Sequence, residues 1–236
     1  MDINGSIALV TGANSDIGRA FTTALLEEGA RRVYAAARRP GEISDSRLIP
    51  LALNVTDSAA VASAAEACPD VSILINVAGG GGVLDVVTGS LDVARNEMEV
   101  NVFGTWAMAQ AFAPILGRNG GGAMVNILSI VSWAAVPALS GYSAAKAAEW
   151  SLTNSLREAL SGQGTLVVGV HSFWIDTRAT KQVQAPKLAP DFVAQSAITA
   201  VREGRNELLL DEPTRSSRAA LVGDIGSVRL GDVFVA

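Results

Sequence analysis

Val10-Thr11-Gly12-Ala13-Asn14-Ser15-Asp16-Ile17-Gly18 follows the apolar run Ile7 to Val10 and opens a stretch with helical periodicity, Ile17 to Glu28. A strand, a glycine turn and a helix start in direct succession make a cradle for an anion. Glycine lets the backbone come close, and the first turn of a helix presents N–H groups that have no partner within it. The contacts expected there are Gly12, Asn14, Ser15, Ile17 and Gly18. The spacing is not the general G-x-G-x-x-G. It fits Thr-Gly-x3-Gly-x-Gly, with Asp16 at the middle glycine. Asp16 is expected to act as a helix N-cap, which sets its charge beside a bound phosphate.

Outward from this turn the chain alternates two kinds of segment. Short β-branched runs are Ile7 to Val10, Val33 to Ala36, Ile49 to Leu53, Val71 to Ile75, Met124 to Leu128, Leu166 to Val170 and Glu207 to Leu210. Helical periodicity marks Ile17 to Glu28, Ser58 to Ala67, Leu91 to Leu116, Tyr142 to Leu160 and Asp191 to Glu203. Strands buried on both faces read as continuous apolar runs. Strands alternating with helices imply right-handed crossovers. The expected fold is α/β: a doubly wound, Rossmann-like three-layer sandwich on a seven-stranded parallel sheet, with residues 1–236 as one domain.

Composition narrows the function classes. With 18 basic and 23 acidic residues the net charge is −5, which argues against a nucleic-acid partner. Asp2 and Asn4 stand where a secretory leader would carry basic residues, and no apolar run reaches the ~18 residues of a membrane span. The single Cys68 cannot form an internal disulfide and is expected as a small packed hydrophobe. These features point to a cytoplasmic protein without a membrane partner. One His and one Cys leave no Cys/His cluster with metal spacing, so no metal site is expected. A hydrolase's Gly-x-Ser-x-Gly is also absent.

The second predicted strand ends in Ala35-Ala36-Ala37-Arg38-Arg39. A site selecting NAD carries an acid there for the ribose hydroxyls. Ala37 removes the acid, and the guanidinium groups of Arg38 and Arg39 suit a 2′-phosphate. The reading is NADP(H), with NAD(H) as the alternative. Further along, Tyr142 and Lys146 lie four apart on a predicted helix, with Ser129 thirteen residues upstream of Tyr142. Positions four apart share a helix face. Bringing a Tyr from ~10 to neutrality takes roughly 3 units, or about 4 kcal/mol. A cation ~4 Å away supplies about that much in a partly screened site. Lys146 is therefore expected to activate Tyr142, with the Ser129 hydroxyl holding a carbonyl oxygen.

Taken together, these motifs resemble the short-chain dehydrogenase/reductase family in its compact one-domain form, over nearly the whole chain. Asn76-Val77-Ala78-Gly79 resembles the family's Asn-Asn-Ala-Gly, Asn101-Val102-Phe103-Gly104 its helix-borne Asn, and Ile175-Asp176-Thr177 the end of its Pro-Gly-x-x-x-Thr loop. The resemblance implies Asn101, Ser129, Tyr142 and Lys146 as catalytic residues. Asn101 would anchor a water that relays protons to Lys146. It implies cofactor contacts from Gly12, Asn14, Ser15, Ile17, Gly18, Arg38, Arg39, Asn54, Val55, Asn76, Ala78, Tyr142, Lys146, Ile175 and Thr177. The implied activity interconverts a small or medium apolar carbonyl and its alcohol by hydride transfer, in a homodimer or homotetramer packed through the long helices.

The chain departs from the family at Asp16, Val77, Asn54 and Ser172-Phe173, the last replacing Pro-Gly. Phe173 is expected to swing outward and wall a substrate pocket with Trp133, Val136 and Trp174. His171 is expected to be structural. Two alternatives remain: a lyase like the halohydrin dehalogenases, whose nicotinamide space is filled by aromatics, and a dinucleotide-sensing protein without turnover.

Overall fold

Seven strands form one sheet in the order β3-β2-β1-β4-β5-β6-β7, every neighbouring pair parallel. They are β1 Ile7–Thr11, β2 Arg32–Ala37, β3 Ile49–Ala52, β4 Ile73–Asn76, β5 Ala123–Ile127, β6 Leu166–His171 and β7 Glu207–Leu209. The helices are α1 Asp16–Glu27, α2 Ser58–Ala67, α3 Leu91–Met98, α4 Gly104–Arg118, α5 Ser140–Ser161, α6 Pro190–Glu203 and α7 Glu212–Ala220. This computed structural model describes residues 1–222; the remainder of the predicted domain 1–236 lies outside the described residues. No described helix is long and apolar enough to cross a membrane.

The two-residue period of a strand sends alternate side chains to opposite faces. In β1, Ala8 and Val10 face α1 and α6, while Ile7 and Leu9 face α2, α4 and α5. Phe21 fills the first layer and Phe112 the second, both with no exposed surface. Burial on both faces explains why the strands read as unbroken apolar runs. Cys68 caps α2 and is fully buried, which pushes its thiol up to about 12.

Most element ends shift by one or two residues from the sequence reading, and three differences have structural content. The fourth strand runs Ile73–Asn76 rather than from Val71 to Ile75. The helix expected over Leu91 to Leu116 is α3 and α4 joined by a π turn, Glu99–Phe103. The cause is the Asn101 amide, which donates to the Glu97 carbonyl at 2.7 Å and competes with the regular backbone ladder there. Helix α7 was not expected. It has few apolar residues, but Asp211 caps it by accepting from Thr214 N, and Pro213 fits its first turn.

The strand order reverses between β1 and β4, and this opens the crevice where ligands of such sheets bind. The crevice is closed underneath by Thr11, whose Oγ1 accepts from Val77 N and Ala78 N, both at 3.0 Å. Gly12 has φ +61°, and a Cβ there would stand 3.1 Å from Ala78 Cα. Thr11→Val keeps the shape and removes the acceptor. It should destabilise the protein by about 1–3 kcal/mol, seen as a thermal midpoint lower by ~2–4 °C per kcal/mol. An unchanged midpoint would show that Thr11 does not anchor the loop.

Candidate active site

Ser129 ends the loop after β5 in an extended conformation, and Val131 N donates to its Oγ at 3.3 Å. Tyr142 lies in the first turn of α5 and Lys146 one turn further on, its Nζ 5.7 Å from the phenol ring centre. The Ser129 side chain lies near enough to the phenol to act to lower its pKa. The structure thus brings Ser129, Tyr142 and Lys146 together at the C-terminal ends of the strands. Asn101 is fully buried in the π turn. Its Oδ1 accepts from Gly80 N at 3.0 Å, and its Nδ2 donates to Gly80 O at 2.8 Å. The Asn101 side chain therefore holds the glycine loop that faces Tyr142; a Cβ on Gly81 would fall 2.5 Å from Tyr142 Cβ and 2.6 Å from its ring.

One expectation is corrected here. Lys146 does not bring Tyr142 toward neutrality in this structure. Burial pushes the phenol above its ordinary value; Lys146 pulls it down, Glu149 pushes it up, Ser129 lowers it and Glu97 raises it, and burial prevails. Lys146 Nζ donates to Glu149 Oε2 at 2.6 Å and to the Ile127 carbonyl at 2.7 Å. Burial alone would pull the ammonium down, but the Glu149 carboxylate outweighs it and holds Lys146 protonated. Glu149 was missed by the sequence reading. Its signal is an acid three residues after Lys146, on the same face of α5.

The cradle has the expected parts with one change of role. Ser15, not Asp16, is the N-cap of α1: its Oγ accepts from Gly18 N at 3.0 Å. Asp16 is the first helical residue. Its carboxylate accepts from Arg178 N at 2.8 Å and pairs with Arg178 Nε at 3.2 Å, while Arg178 also donates to the Asn14 carbonyl. The charge expected to oppose a phosphate is thus matched by a guanidinium from the loop after β6. A Cβ on Gly18 would fall 2.2 Å from Gly12 O, so the turn tolerates no side chain there. Ile17 packs against the α1 side of the core.

The other expected contacts divide into free and committed groups. Arg38, at the end of β2, is exposed and makes no ion pair among the described residues. Arg39 pairs with Glu42 at 3.0 Å, and Asn14 donates to the same carboxylate at 2.9 Å. Asn54 is exposed and accepts from Thr56 Oγ1, and Val55 is buried against Gly104. The Asn76 side chain turns into the sheet and donates to Asn126 at 2.9 Å, so it is not aimed at a cofactor. Ala78 backs the glycine turn, and Ile175 belongs to the core. Thr177 opens a short turn with reciprocal bonds to Thr180. Side-chain-free glycine backbone, the N-terminus of α1 and an Arg38 that makes no ion pair among the described residues together fit a phosphate-bearing dinucleotide.

His171 is structural, as expected. It is fully buried, which drives its pKa down to about 3, and Nδ1–H donates to the Ser129 carbonyl across 3.2 Å. The four residues expected to wall a pocket divide. Trp133 and Val136 line a cavity of about 410 Å3 along the flank of α5, with Ser143 and Ala147. Phe173 and Trp174 do not border it; they stack on each other at 5.3 Å, and Phe173 packs in the cluster that contains Tyr142 and Val136.

A family model described as short chain dehydrogenase matches residues 6–188. A short chain dehydrogenase from Burkholderia cenocepacia, solved in complex with NADP, aligns with a TM-score of 0.92 at 36% identity, covering 96% of this chain and 97% of that one. A second, from Burkholderia phymatum in complex with NAD, aligns with a TM-score of 0.81 at 25% identity over 94% of this chain and 93% of its own. The 3-oxoacyl-[acyl-carrier-protein] reductase of Vibrio harveyi is 30% identical over 77% of this chain and 78% of its own length. The match extends from the glycine turn to the loop after β6, and this protein belongs to the short-chain dehydrogenase/reductase family of oxidoreductases.

Proposed function

We propose that this oxidoreductase interconverts a small or medium apolar carbonyl compound and its alcohol, with NADP(H) preferred over NAD(H) and Tyr142 as the proton donor and acceptor. The observation that carries the reading is the placement of Ser129 and Lys146 around one half-buried phenol. Gly12, Ser15, Ile17 and Gly18 would hold the dinucleotide's phosphates, Arg38 its 2′-phosphate, and Thr177 its far end. When bound, the nicotinamide supplies the hydride. The chain's own residues do the rest. Ser129 Oγ holds the substrate oxygen, and Tyr142 gives that oxygen its proton. Lys146 stabilises the phenolate left behind, and Asn101 keeps the Gly80 loop over the ring.

Two supports favour NADP. Arg38 makes no ion pair among the described residues and stands where an acid would favour NAD, and the relative from Burkholderia cenocepacia was solved with NADP. The reductive direction follows from the NADP preference, and it uses the neutral phenol as the proton donor. In that direction, activity holds at neutral pH and is lost as pH rises through the phenol's pKa. A homodimer or homotetramer in the cytoplasm remains part of the reading, supported by exposed Leu91, Phe103 and Trp106 on α3, the π turn and α4. Both binding and catalysis would reside in one domain.

Tyr142→Phe removes the proton donor and keeps the ring. Its kcat should fall at least ~10²-fold with an unchanged circular dichroism spectrum; activity within a few-fold of the parent would refute the role. Arg38→Ala should weaken NADPH binding by about 1.5–3 kcal/mol, the scale of a hydrogen bond to a charged group, and leave NADH nearly untouched. Equal losses in the two titrations would mean that Arg38 does not read the 2′-phosphate. Phe173→Ala tests whether the ring packed in the Tyr142 cluster contributes to substrate binding although it does not border the cavity beside α5. It should raise KM for apolar carbonyls with NADPH affinity unchanged, since lost uniform binding appears in KM. If the truncation instead restores a cofactor affinity that the parent lacks, Phe173 fills the nicotinamide space and the lyase reading takes over.

A further inference from the structure

The segment after β6, residues 172–189, is built to reach the glycine turn. Its two arms are joined: Leu188 N donates to Trp174 O and Asp176 N to Leu188 O, both at 2.8 Å, and Lys187 pairs with Asp176 at 2.8 Å. Its base is held by Asp211, the N-cap of α7, which accepts from Phe173 N at 2.8 Å. Between these ties, Arg178 meets the start of α1. Its backbone N–H donates to Asp16 Oδ2 at 2.8 Å, its Nε stands 3.2 Å from Asp16 Oδ1, and its Nη2 donates to the Asn14 carbonyl at 3.1 Å. An ion pair this open to solvent adds little to stability. Its larger effect is on the charge at this end of the crevice.

Asp16 is the first residue of α1, where the helix dipole favours an anion. A phosphate held at that end and the Asp16 carboxylate compete for the same field and repel each other. We propose that Arg178 is a positioning residue for the cofactor: it cancels the Asp16 charge, and so lets the α1 turn of this chain hold a dinucleotide's pyrophosphate. The two residues form a matched pair. Arg178 is needed because an acid, Asp16, occupies a glycine position of the turn. The inference rests on the reading of the glycine turn as the phosphate site. It goes further by assigning a role in cofactor affinity to a residue outside the turn, on the segment that also carries Thr177. Two other roles for Arg178 are distinct from this one: a tether that only holds the segment against α1, and a guanidinium that touches the cofactor itself. Both would matter whether or not Asp16 is charged. Charge cancellation matters only while it is.

NADPH binding is titrated by nicotinamide fluorescence, with no carbonyl present, for the parent, Arg178→Ala, Asp16→Asn and the double variant. The readout needs no turnover. Neither side chain is buried, so the substitutions leave the core intact. Arg178→Ala should raise the Kd about tenfold, near the lower end of what a hydrogen bond to a charged group is worth. Asp16→Asn should bind at least as tightly as the parent. Asp16→Asn combined with Arg178→Ala should bind within about threefold of the parent, because coupled residues do not add their losses. The double variant lacks the Arg178 side-chain contacts as fully as Arg178→Ala does, so a tether or a direct cofactor contact would leave the two equally weak. Equal weakness of those two, parent-like binding by Arg178→Ala, or weaker binding by Asp16→Asn would each overturn the proposal while leaving the cofactor reading in place. A parent that binds no NADPH would overturn the cofactor reading and this inference with it.

Discussion

The closure of the Thr11-Gly12 turn against Val77-Ala78 is the contact on which the rest of the site depends. It lies where the strand order reverses, between β1 and β4, so it sets the floor of the crevice. Two backbone donors of the loop after β4 end on one hydroxyl, and the glycine beside it is too close to Ala78 to carry a side chain comfortably. From this point the two halves of the site extend in opposite directions. On one side are the N-terminus of α1 and Arg38. On the other are the Gly79–Gly82 loop, Asn101 and the Tyr142 end of α5. A shift of the turn would move both halves relative to each other, and hydride transfer tolerates little misplacement.

A second feature links the middle of the sheet to the catalytic helix. Asn76 of β4 donates to Asn126 of β5, Asn126 to Thr153 of α5, and Thr153 to the backbone of Glu149. Glu149 then holds Lys146. Each member of this chain finds at least one partner, although Asn76 Oδ1 has none, and linked buried polar groups favour one arrangement of the elements that carry them. Here the chain fixes the rotation of α5 over the sheet, and with it the face that carries Tyr142 and Lys146. It also explains why Asn76 serves the interior rather than the crevice.

Much of the fold was legible because a parallel sheet covered on both sides writes itself as apolar runs, and all seven strands were found this way within a few residues. The break in the helix after Met98 was not legible. Apolar periodicity continues on both sides of it, and the cause is a single side-chain amide at Asn101. Helix α7 was hidden because polar residues dominate it. In the site, the spacing of Ser129, Tyr142 and Lys146 was readable, since four residues on one helix must share a face. The Asp16–Arg178 contact was not, because 162 residues separate its ends and no local pattern points from one to the other. The electrostatic balance at Tyr142 was misread for a related reason. Coulomb's law for one lysine omits both the burial of the phenol and the carboxylate that shares the ammonium.

The central claim is that this crevice reduces a carbonyl with NADPH. The direct measurement mixes the purified protein and NADPH with a panel of small apolar aldehydes and ketones, and follows nicotinamide absorbance together with alcohol formation. The account predicts carbonyl-dependent loss of absorbance matched mole for mole by alcohol. Binding of NADPH with no carbonyl on the panel consumed would contradict it and leave a dinucleotide-binding protein in its place.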